Sequence, residues 1–358
     1  MDHDFLIIGG GIAGVSAAAT LSALGRVMLV EAEDHLAHHA SGRSAAMYEP
    51  RYGKPAVVEL SLASGDLFRS LPGLLSDRGL MILGGPGEED ALAADAAAMH
   101  LEPIPVAAAR AMIPILNPAA ITAAAFSPEA WDLDTDMLLQ HFAKTARGNG
   151  AQIVTGARVT ALTRDGDGWR AGWTGGSTSA RIVVNAAGAW ADTVAAMAGV
   201  ARLGLIPHRR SMARLPAPGG HDVSKWPMIF GAGETWYAKP DAGALIVSSA
   251  DEDPMEPHDA WADDMVLAEG LARYEAMVTE PVTRLLSNWA GLRTFAPDRV
   301  PVIGMAPAAP GFFWLAGQGG YGFQSAAAAA RLAADLIGGR APALPAPLVA
   351  ALSPARFA

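Results

Sequence analysis

Phe5-Leu6-Ile7-Ile8-Gly9-Gly10-Gly11-Ile12-Ala13-Gly14 is the stretch on which the reading of this chain turns. Phe5 to Ile8 is a short apolar run that reads as a buried strand, and the glycine turn Gly9–Gly14 follows at once. Val15 to Leu24, rich in Ala and Leu, reads as a helix, and Val27 to Val30 as a second strand ending at Glu31. Gly9-Gly10-Gly11-Ile12-Ala13-Gly14 matches G-x-G-x-x-G. In such a turn the first glycine permits a tight reversal and the second lets the backbone approach a pyrophosphate. The third lets the helix pack close to the strand. The helix N-terminus adds free N–H groups and partial positive charge. A carboxylate at Glu31 can accept hydrogen bonds from ribose hydroxyls. Strand, turn, helix, strand and terminal acid in this order predict a dinucleotide site, and the motif does not by itself separate FAD from NAD.

The whole chain has 358 residues, enough for two domains or for one domain inserted into another. At 51% hydrophobic and 17% charged it has the composition of a chain with a large core, not of a disordered one. A formal charge of −10 and the lack of any basic stripe argue against nucleic-acid partners. There is no cysteine, which excludes disulfides, cysteine-ligated zinc and a flavin tethered through cysteine. No run of about 18 apolar residues predicts an integral membrane segment. Met1-Asp2-His3-Asp4 makes a poor signal peptide, so the cytoplasm is the default expectation.

Further along, residues 41 to 55 read as a loop that becomes a helix, and a helix is expected over Met137–Arg147. Strands are expected at Gln152–Val154, Arg158–Leu162, Trp169–Trp173 and Arg181–Asn185. Strands at His208–Leu215, Thr235–Lys239 and Ala244–Ser248 and a helix near Asp263–Met277 suggest an antiparallel sheet with helices attached. The tail reads as a strand (Phe312–Ala316), a glycine turn and an alanine-rich helix (Ser325–Ile337).

Four later segments add to the glycine turn: Ser41-Gly42-Arg43-Ser44-Ala45-Ala46; Val183-Val184-Asn185-Ala186-Ala187-Gly188-Ala189-Trp190; Trp289-Ala290-Gly291-Leu292-Arg293-Thr294-Phe295 with Pro301-Val302-Ile303-Gly304; and Gly317-Gln318-Gly319-Gly320-Tyr321-Gly322-Phe323-Gln324. In this order the chain resembles the D-amino-acid oxidase/glycine oxidase/sarcosine oxidase superfamily of FAD-dependent oxidoreductases. Within it the chain looks most similar to the D-arginine dehydrogenases. The resemblance runs from about residue 4 to the C-terminus.

It implies an α/β fold, with a Rossmann-like FAD-binding domain and an inserted α+β substrate domain built on an antiparallel sheet. The FAD domain would comprise residues 1–50, 137–205 and 290–358, and the substrate domain residues 51–136 and 206–289. Non-covalent FAD would be bound by Gly9, Gly11, Ile12, Ala13, Gly14, Glu31 and Ala32, then by Ser41, Arg43, Ser44, Ala45 and Ala46. Ala187, Gly188, Trp190, Gly291 and Arg293 would follow, with Gly319, Gly320, Tyr321, Gly322, Phe323 and Gln324 closing the set. Small side chains at Ser44 and Ala45 would let the flavin ring come close. The turn before the last helix would aim N–H groups at its pyrimidine end, where reduction places negative charge.

An α-amino acid brings a carboxylate, and a guanidinium grips a carboxylate through a planar two-pronged fork. The resemblance points to Arg210 and Arg293. Arg209 and Arg210 would face opposite ways on a strand, and the resemblance selects Arg210 for the inside. Tyr237, which shares a strand face with Lys239, would hydrogen-bond the substrate carboxylate. Tyr52 would lie on a mobile loop over the site, and Gly320 and Gln324 would close it. Two positions depart from relatives that use cationic substrates. Met47 replaces a histidine and cannot exchange a proton. Leu80 stands where a carboxylate would be and cannot pair with a cation.

The function so implied is oxidation of the α-amine of a small amino-acid substrate, a D-amino acid with a neutral or apolar side chain. Hydride would pass to flavin N5, and the imino acid would hydrolyse to the 2-oxo acid and ammonia. No motif selects the electron acceptor among a quinone, a dye-like carrier and oxygen. Two alternatives stand beside this: oxidation of N-methyl or cyclic amino acids (sarcosine or proline type), and a flavin-binding subunit without turnover.

No metal site is expected. Asp132-Leu133-Asp134-Thr135-Asp136 resembles the start of a calcium loop, but Met137 and Ala143 occupy the required glycine and glutamate positions. Helix capping by Asp134 or Thr135 explains it better. His38-His39 could suggest a metal site or a histidyl-linked flavin, but with no further ligand cluster after it the pair reads as ordinary loop, and Asp251-Glu252-Asp253 reads as a solvated acidic loop.

Overall fold

A computed structural model describes residues Met1–Ala358. The N-terminal unit forms as the glycines require. The strand His3–Ile8 runs parallel to Val27–Val30, and the helix between them spans Ile12–Leu21. The helix begins three residues before the expected Val15. Gly14 lies inside it, because a Cβ there would sit 1.9 Å from the Gly9 carbonyl oxygen. Its absent side chain serves close approach and not a turn. Gly9 has φ +112°, and a Cβ there would meet the Ala186 carbonyl oxygen at 2.4 Å.

This unit sits at the centre of an eight-stranded sheet. Its order runs Val159–Asp165, Gly168–Trp173, Gly176–Asn185, His3–Ile8, Val27–Val30, Gln152–Val154. The strand Gly176–Asn185 starts five residues earlier than expected. Its first half closes an antiparallel meander, and its second half runs parallel to both His3–Ile8 and Phe312–Ala316. One face of the sheet is covered by the helices Ile12–Leu21, Thr135–Gly148 and Gly322–Ile337. Alanines along the last of these let the helices pack closely. Asp134 caps Thr135–Gly148, its carboxylate accepting from Met137 N–H at 2.8 Å.

A second eight-stranded sheet has the order Ser287–Phe295, Ile206–Pro216, Ala244–Ser248, Tyr237–Asp241, Met228–Gly231, Leu80–Gly84, Ala123–Ser127, Glu102–Ile104. It is antiparallel apart from one joint, where Met228–Gly231 runs parallel to Leu80–Gly84. The boundary expected at 290 falls inside the strand Ser287–Phe295, so Arg293 is carried by this second sheet. The segment expected to open the substrate domain at 51 leads into the helix Pro55–Ser70. That helix shares its core with Ile12–Leu21 and Gly322–Ile337, through Leu60 and Phe68 among others. Met47–Tyr48, Trp131–Leu133 and Leu75–Asp77 form a third, small sheet in that order. No helix is long and apolar enough to cross a membrane.

The acidic segment Asp251–Asp253 is exposed at Glu252 and Asp253, as expected of a solvated loop, but all three of its carboxylates also pair with arginines. Asp251, its side chain only 4% exposed, and Asp253 hold Arg209 at 3.0 and 2.6 Å, and Glu252 joins Arg210 and Arg299 at 2.8 Å each. Both arginines of the pair are buried, and a buried guanidinium requires such partners.

Candidate active site

A cavity of about 370 Å³ draws its lining from both large sheets and the loops beside them. Gly9–Ala13, Glu31 and Ala32 border it, with Ser41, Arg43–Ala45, the turn Ala186–Trp190, Gly291–Thr294 and Gln318–Gly320. Local hydrogen bonds hold its rim. Glu31 accepts from Gly10 N–H at 2.5 Å and from Glu33 N–H at 2.8 Å, and Ser41 Oγ accepts from Ile12 N–H at 3.0 Å. Arg43 donates to the carbonyl oxygens of Ala260 (2.8 Å) and Ala290 (2.9 Å) and pairs with Asp259. Gly319 adopts φ +53°, and a Cβ there would collide with the Phe295 ring at 2.1 Å, so this turn tolerates only glycine.

Four buried polar atoms without a hydrogen-bond partner in the protein belong to residues on this wall: His39 Nδ1, Arg210 Nε, Thr294 Oγ1 and Gln318 Nε2. Buried polar groups are normally paired, so a wall carrying several unpaired ones suits a ligand rich in oxygen and nitrogen. FAD fits that description. The glycine turn under a helix N-terminus suits its pyrophosphate, and the Glu31 carboxylate suits its ribose.

Next to this cavity lies a second of about 70 Å³, whose wall contains Met47, Glu49, Tyr52, Leu80, Met228, Phe230, Tyr237, Arg293, Gly320 and Gln324. Ser44, Ala45, Tyr237, Arg293, Gly320 and Phe323 border both cavities. The second sheet supplies Leu80, Met228, Phe230, Tyr237 and Arg293 from four adjacent or near-adjacent strands. Tyr52 donates to Glu234 Oε2 at 2.7 Å, packs against Tyr321 with ring centroids 5.3 Å apart, and its carbonyl oxygen accepts from Gln324 Nε2 at 3.3 Å. Burial raises the Tyr52 pKa, as does the Glu234 charge. Tyr237 donates to Met212 Sδ at 3.2 Å. Burial opposes the charge on Arg293, but Tyr237, Tyr52, Tyr321 and Glu234 more than offset it, so its pKa lies above the ordinary value. The guanidinium keeps its charge while making no ion pair.

All the site residues expected from the sequence border one of these cavities except Gly14, buried at the helix–strand contact, and Tyr321, which packs behind Tyr52. Arg210 faces the larger cavity and is tied to Glu252. Asp77 is exposed on its strand and borders neither cavity, while Leu80 is fully buried in the wall. Lys239, on the Tyr237 face, is used structurally, with Asp132 at 2.7 Å and the Ala46 carbonyl oxygen at 3.2 Å. Glu33, His38 and His39 offer ligand atoms within 4.8 Å of one another beside the larger cavity; the sequence reading weighed the two histidines but did not anticipate Glu33 beside them.

Sequence reading also missed Glu49, Met228, Phe230 and Glu234. Glu49 was accessible by alternation from Met47, two residues before it. The other three needed the strand pairing of the second sheet.

The DAO family pattern, described as FAD dependent oxidoreductase, matches residues 4–336. A tRNA 5-methylaminomethyl-2-thiouridine biosynthesis bifunctional protein of Burkholderia vietnamiensis is 28% identical over 99% of this chain. The match covers 59% of that protein, so this chain spans well under two thirds of its length. A D-amino acid dehydrogenase of Cereibacter sphaeroides is 48% identical over 56 residues, 16% of this chain and 13% of that one. Among solved structures, L-proline dehydrogenase from P. horikoshii superposes with a TM-score of 0.85 at 23% identity, covering 99% of this chain and 98% of the other.

Proposed function

This chain belongs to the DAO family of FAD-dependent oxidoreductases, and we propose that it oxidises the α-amine of a small D-amino acid with a neutral, preferably apolar, side chain. The observation that carries this reading is the wall of the smaller cavity. Its charged residues are Arg293 and Glu49, and Met47, Leu80, Met228 and Phe230 make much of the rest apolar. FAD, held non-covalently by the larger cavity, supplies a hydride acceptor. The protein's own work is capture and orientation. Arg293 grips the α-carboxylate, and Tyr237 borders both cavities where that carboxylate would lie. Tyr52, anchored by Glu234, covers the site and keeps water out. A side-chain ammonium or guanidinium would lie against Leu80 and Met228, at a cost of several kcal/mol. An apolar side chain would instead gain about 25 cal/mol per Å² buried. The D configuration is supported by the motif resemblance and by the short stretch shared with a D-amino acid dehydrogenase.

A second reading is oxidation of a secondary amine, N-methyl or cyclic. It is favoured by the 28% identity, across nearly the whole chain, to a protein whose name concerns a methylaminomethyl group. Anaerobic mixing of the yellow holoenzyme with D-leucine, D-methionine, D-alanine, D-arginine, sarcosine and D-proline separates the readings. Fastest bleaching by D-leucine or D-methionine is expected. Faster bleaching by sarcosine or D-proline would favour the second reading. D-arginine ahead of D-leucine by more than about tenfold would remove Leu80 as the selector, since a buried charge is costly there only if unpaired. A flavin that none of them bleaches would favour a subunit without turnover.

A further inference from the structure

The smaller cavity contains an ionisable carboxyl group that the proposed mechanism leaves unused. Glu49 follows the two-residue strand Met47–Tyr48. Tyr48 turns away into the core, its hydroxyl donating to the Ser61 carbonyl oxygen at 3.1 Å, while Met47 and Glu49 both border the cavity. Glu49 is 5% exposed. Its hydrogen-bond partner is the Arg51 backbone N–H at 3.0 Å, and no lysine or arginine lies within ion-pair distance. The other carboxylates around the site are engaged: Glu234 accepts from Tyr52, and Asp132 holds Arg78 and Lys239. Arg293, on the same cavity wall, forms no ion pair either. A carboxyl group and a guanidinium are thus both buried beside one small cavity, and neither makes an ion pair within the protein. A ligand carrying both opposite charges would give each of them its missing ion-pair partner at once.

We propose that Glu49 receives the ammonium group of the substrate, so that Glu49 and Arg293 together recognise a zwitterion. This rests on the amino-acid reading given above. With a neutral side chain the ammonium is the one on the α-carbon, and a side-chain ammonium is distinguished from it with ligands that cannot lose a hydride from an amine-bearing α-carbon. 2-Methylalanine carries carboxylate and α-ammonium without an α-hydrogen. Pivalate has the same shape with a methyl group in place of the ammonium. 5-Aminopentanoate carries only a distal ammonium.

The experiment measures dissociation constants for the three, from perturbation of the flavin spectrum, with wild-type holoenzyme, Glu49→Gln and Glu49→Asp. Glutamine keeps the shape and the acceptor for Arg51 N–H. Aspartate keeps the charge and guards against a misfolded glutamine variant. The expected result is that Glu49→Gln binds 2-methylalanine at least about tenfold more weakly, while pivalate binding is unchanged and Glu49→Asp still prefers 2-methylalanine to pivalate. Weakening confined to 5-aminopentanoate would place the ammonium on the side chain; Glu49 would keep its role, and the neutral-side-chain reading would fall. Equal affinities of wild type and Glu49→Gln for all three would overturn the proposal and leave the amino-acid reading intact. A wild type that binds none of the three would sink the amino-acid reading, and the role of Glu49 with it.

Discussion

Replacing Glu49 by glutamine should stabilise the ligand-free holoenzyme by an amount that grows as pH rises from about 4.5 to about 7 and is constant above that. Burial is the largest influence on this carboxyl and pushes its pKa up to about 7. The Arg51 N–H bond and the Arg51 charge act against burial, and the nearby Glu129 charge adds to it. An unfolded glutamate ionises near its ordinary value of 4.5. Between these two pH values the folded chain retains a proton that the unfolded chain has lost. Stability therefore falls as pH rises through this window, by ~1.4 kcal/mol per unit, or about 3 kcal/mol over the interval. Glutamine cannot ionise, so the variant escapes that loss. At pH 5 the two proteins should melt within a degree or so of each other. At pH 8 the variant should be ahead by several degrees, since at about 2.1 cal/mol/K of unfolding entropy per residue ~1 kcal/mol moves Tm by about 1–2 °C in a chain of this length. Other titrating groups are common to both proteins and cancel in the difference. The assay is Tm by calorimetry or flavin release from pH 5 to 8.5, without substrate. A Tm difference that is constant across this range would refute the reasoning, because it would mean that the Glu49 carboxyl ionises alike in both states. Saturating 2-methylalanine should narrow the gap at pH 8, by neutralising the charge in the wild type alone.

Arg293→Lys replaces a two-pronged fork by a point charge, and should lower kcat/KM for the best amino acid by about 30-fold or more, equivalent to a loss of ~2–5 kcal/mol; an unchanged kcat/KM would remove Arg293 from the site. The purified protein should be yellow, and acid precipitation should leave the flavin in the supernatant, whereas colour retained in the pellet would show a covalent link. Gly14→Ala places a Cβ 1.9 Å from the Gly9 carbonyl oxygen, where backbone must move. Such overpacking costs about 1–3 kcal/mol or more, so flavin content and Tm should both drop, and full retention of both would show that the turn yields more easily than its packing indicates.

The Rossmann-like unit was legible because its signals are local. A strand, three spaced glycines and a terminal acid lie within Phe5–Glu31, and steric demands at Gly9 and Gly14 act between near neighbours and one adjoining strand. The residues bordering the larger cavity were legible for the same reason, as each belongs to a short segment whose backbone must approach a ligand closely. The strand alternation of Arg209 and Arg210 was also a local inference, but the fate of both depended on Asp251, Glu252 and Asp253, about forty positions away. In the sequence those acids looked like a solvated loop. Only the pairing of Ile206–Pro216 with its neighbours turned them into partners for buried guanidinium groups.

The smaller cavity lay further out of reach. It is closed by the parallel joint between Met228–Gly231 and Leu80–Gly84, and by a two-residue strand after which Glu49 turns inward. No periodicity in the chain announces either feature. Residue type alone makes a glutamate far more probable at the surface than in a core. Glu49 is buried because Tyr48 is anchored in the opposite direction and the chain must then bring its next side chain back to the cavity. The sequence by itself therefore determined the cofactor-binding half and the arginine that faces it. Which charges share a cavity was decided by tertiary structure, because an electrostatic environment is a property of distances in space and not of spacing along a chain.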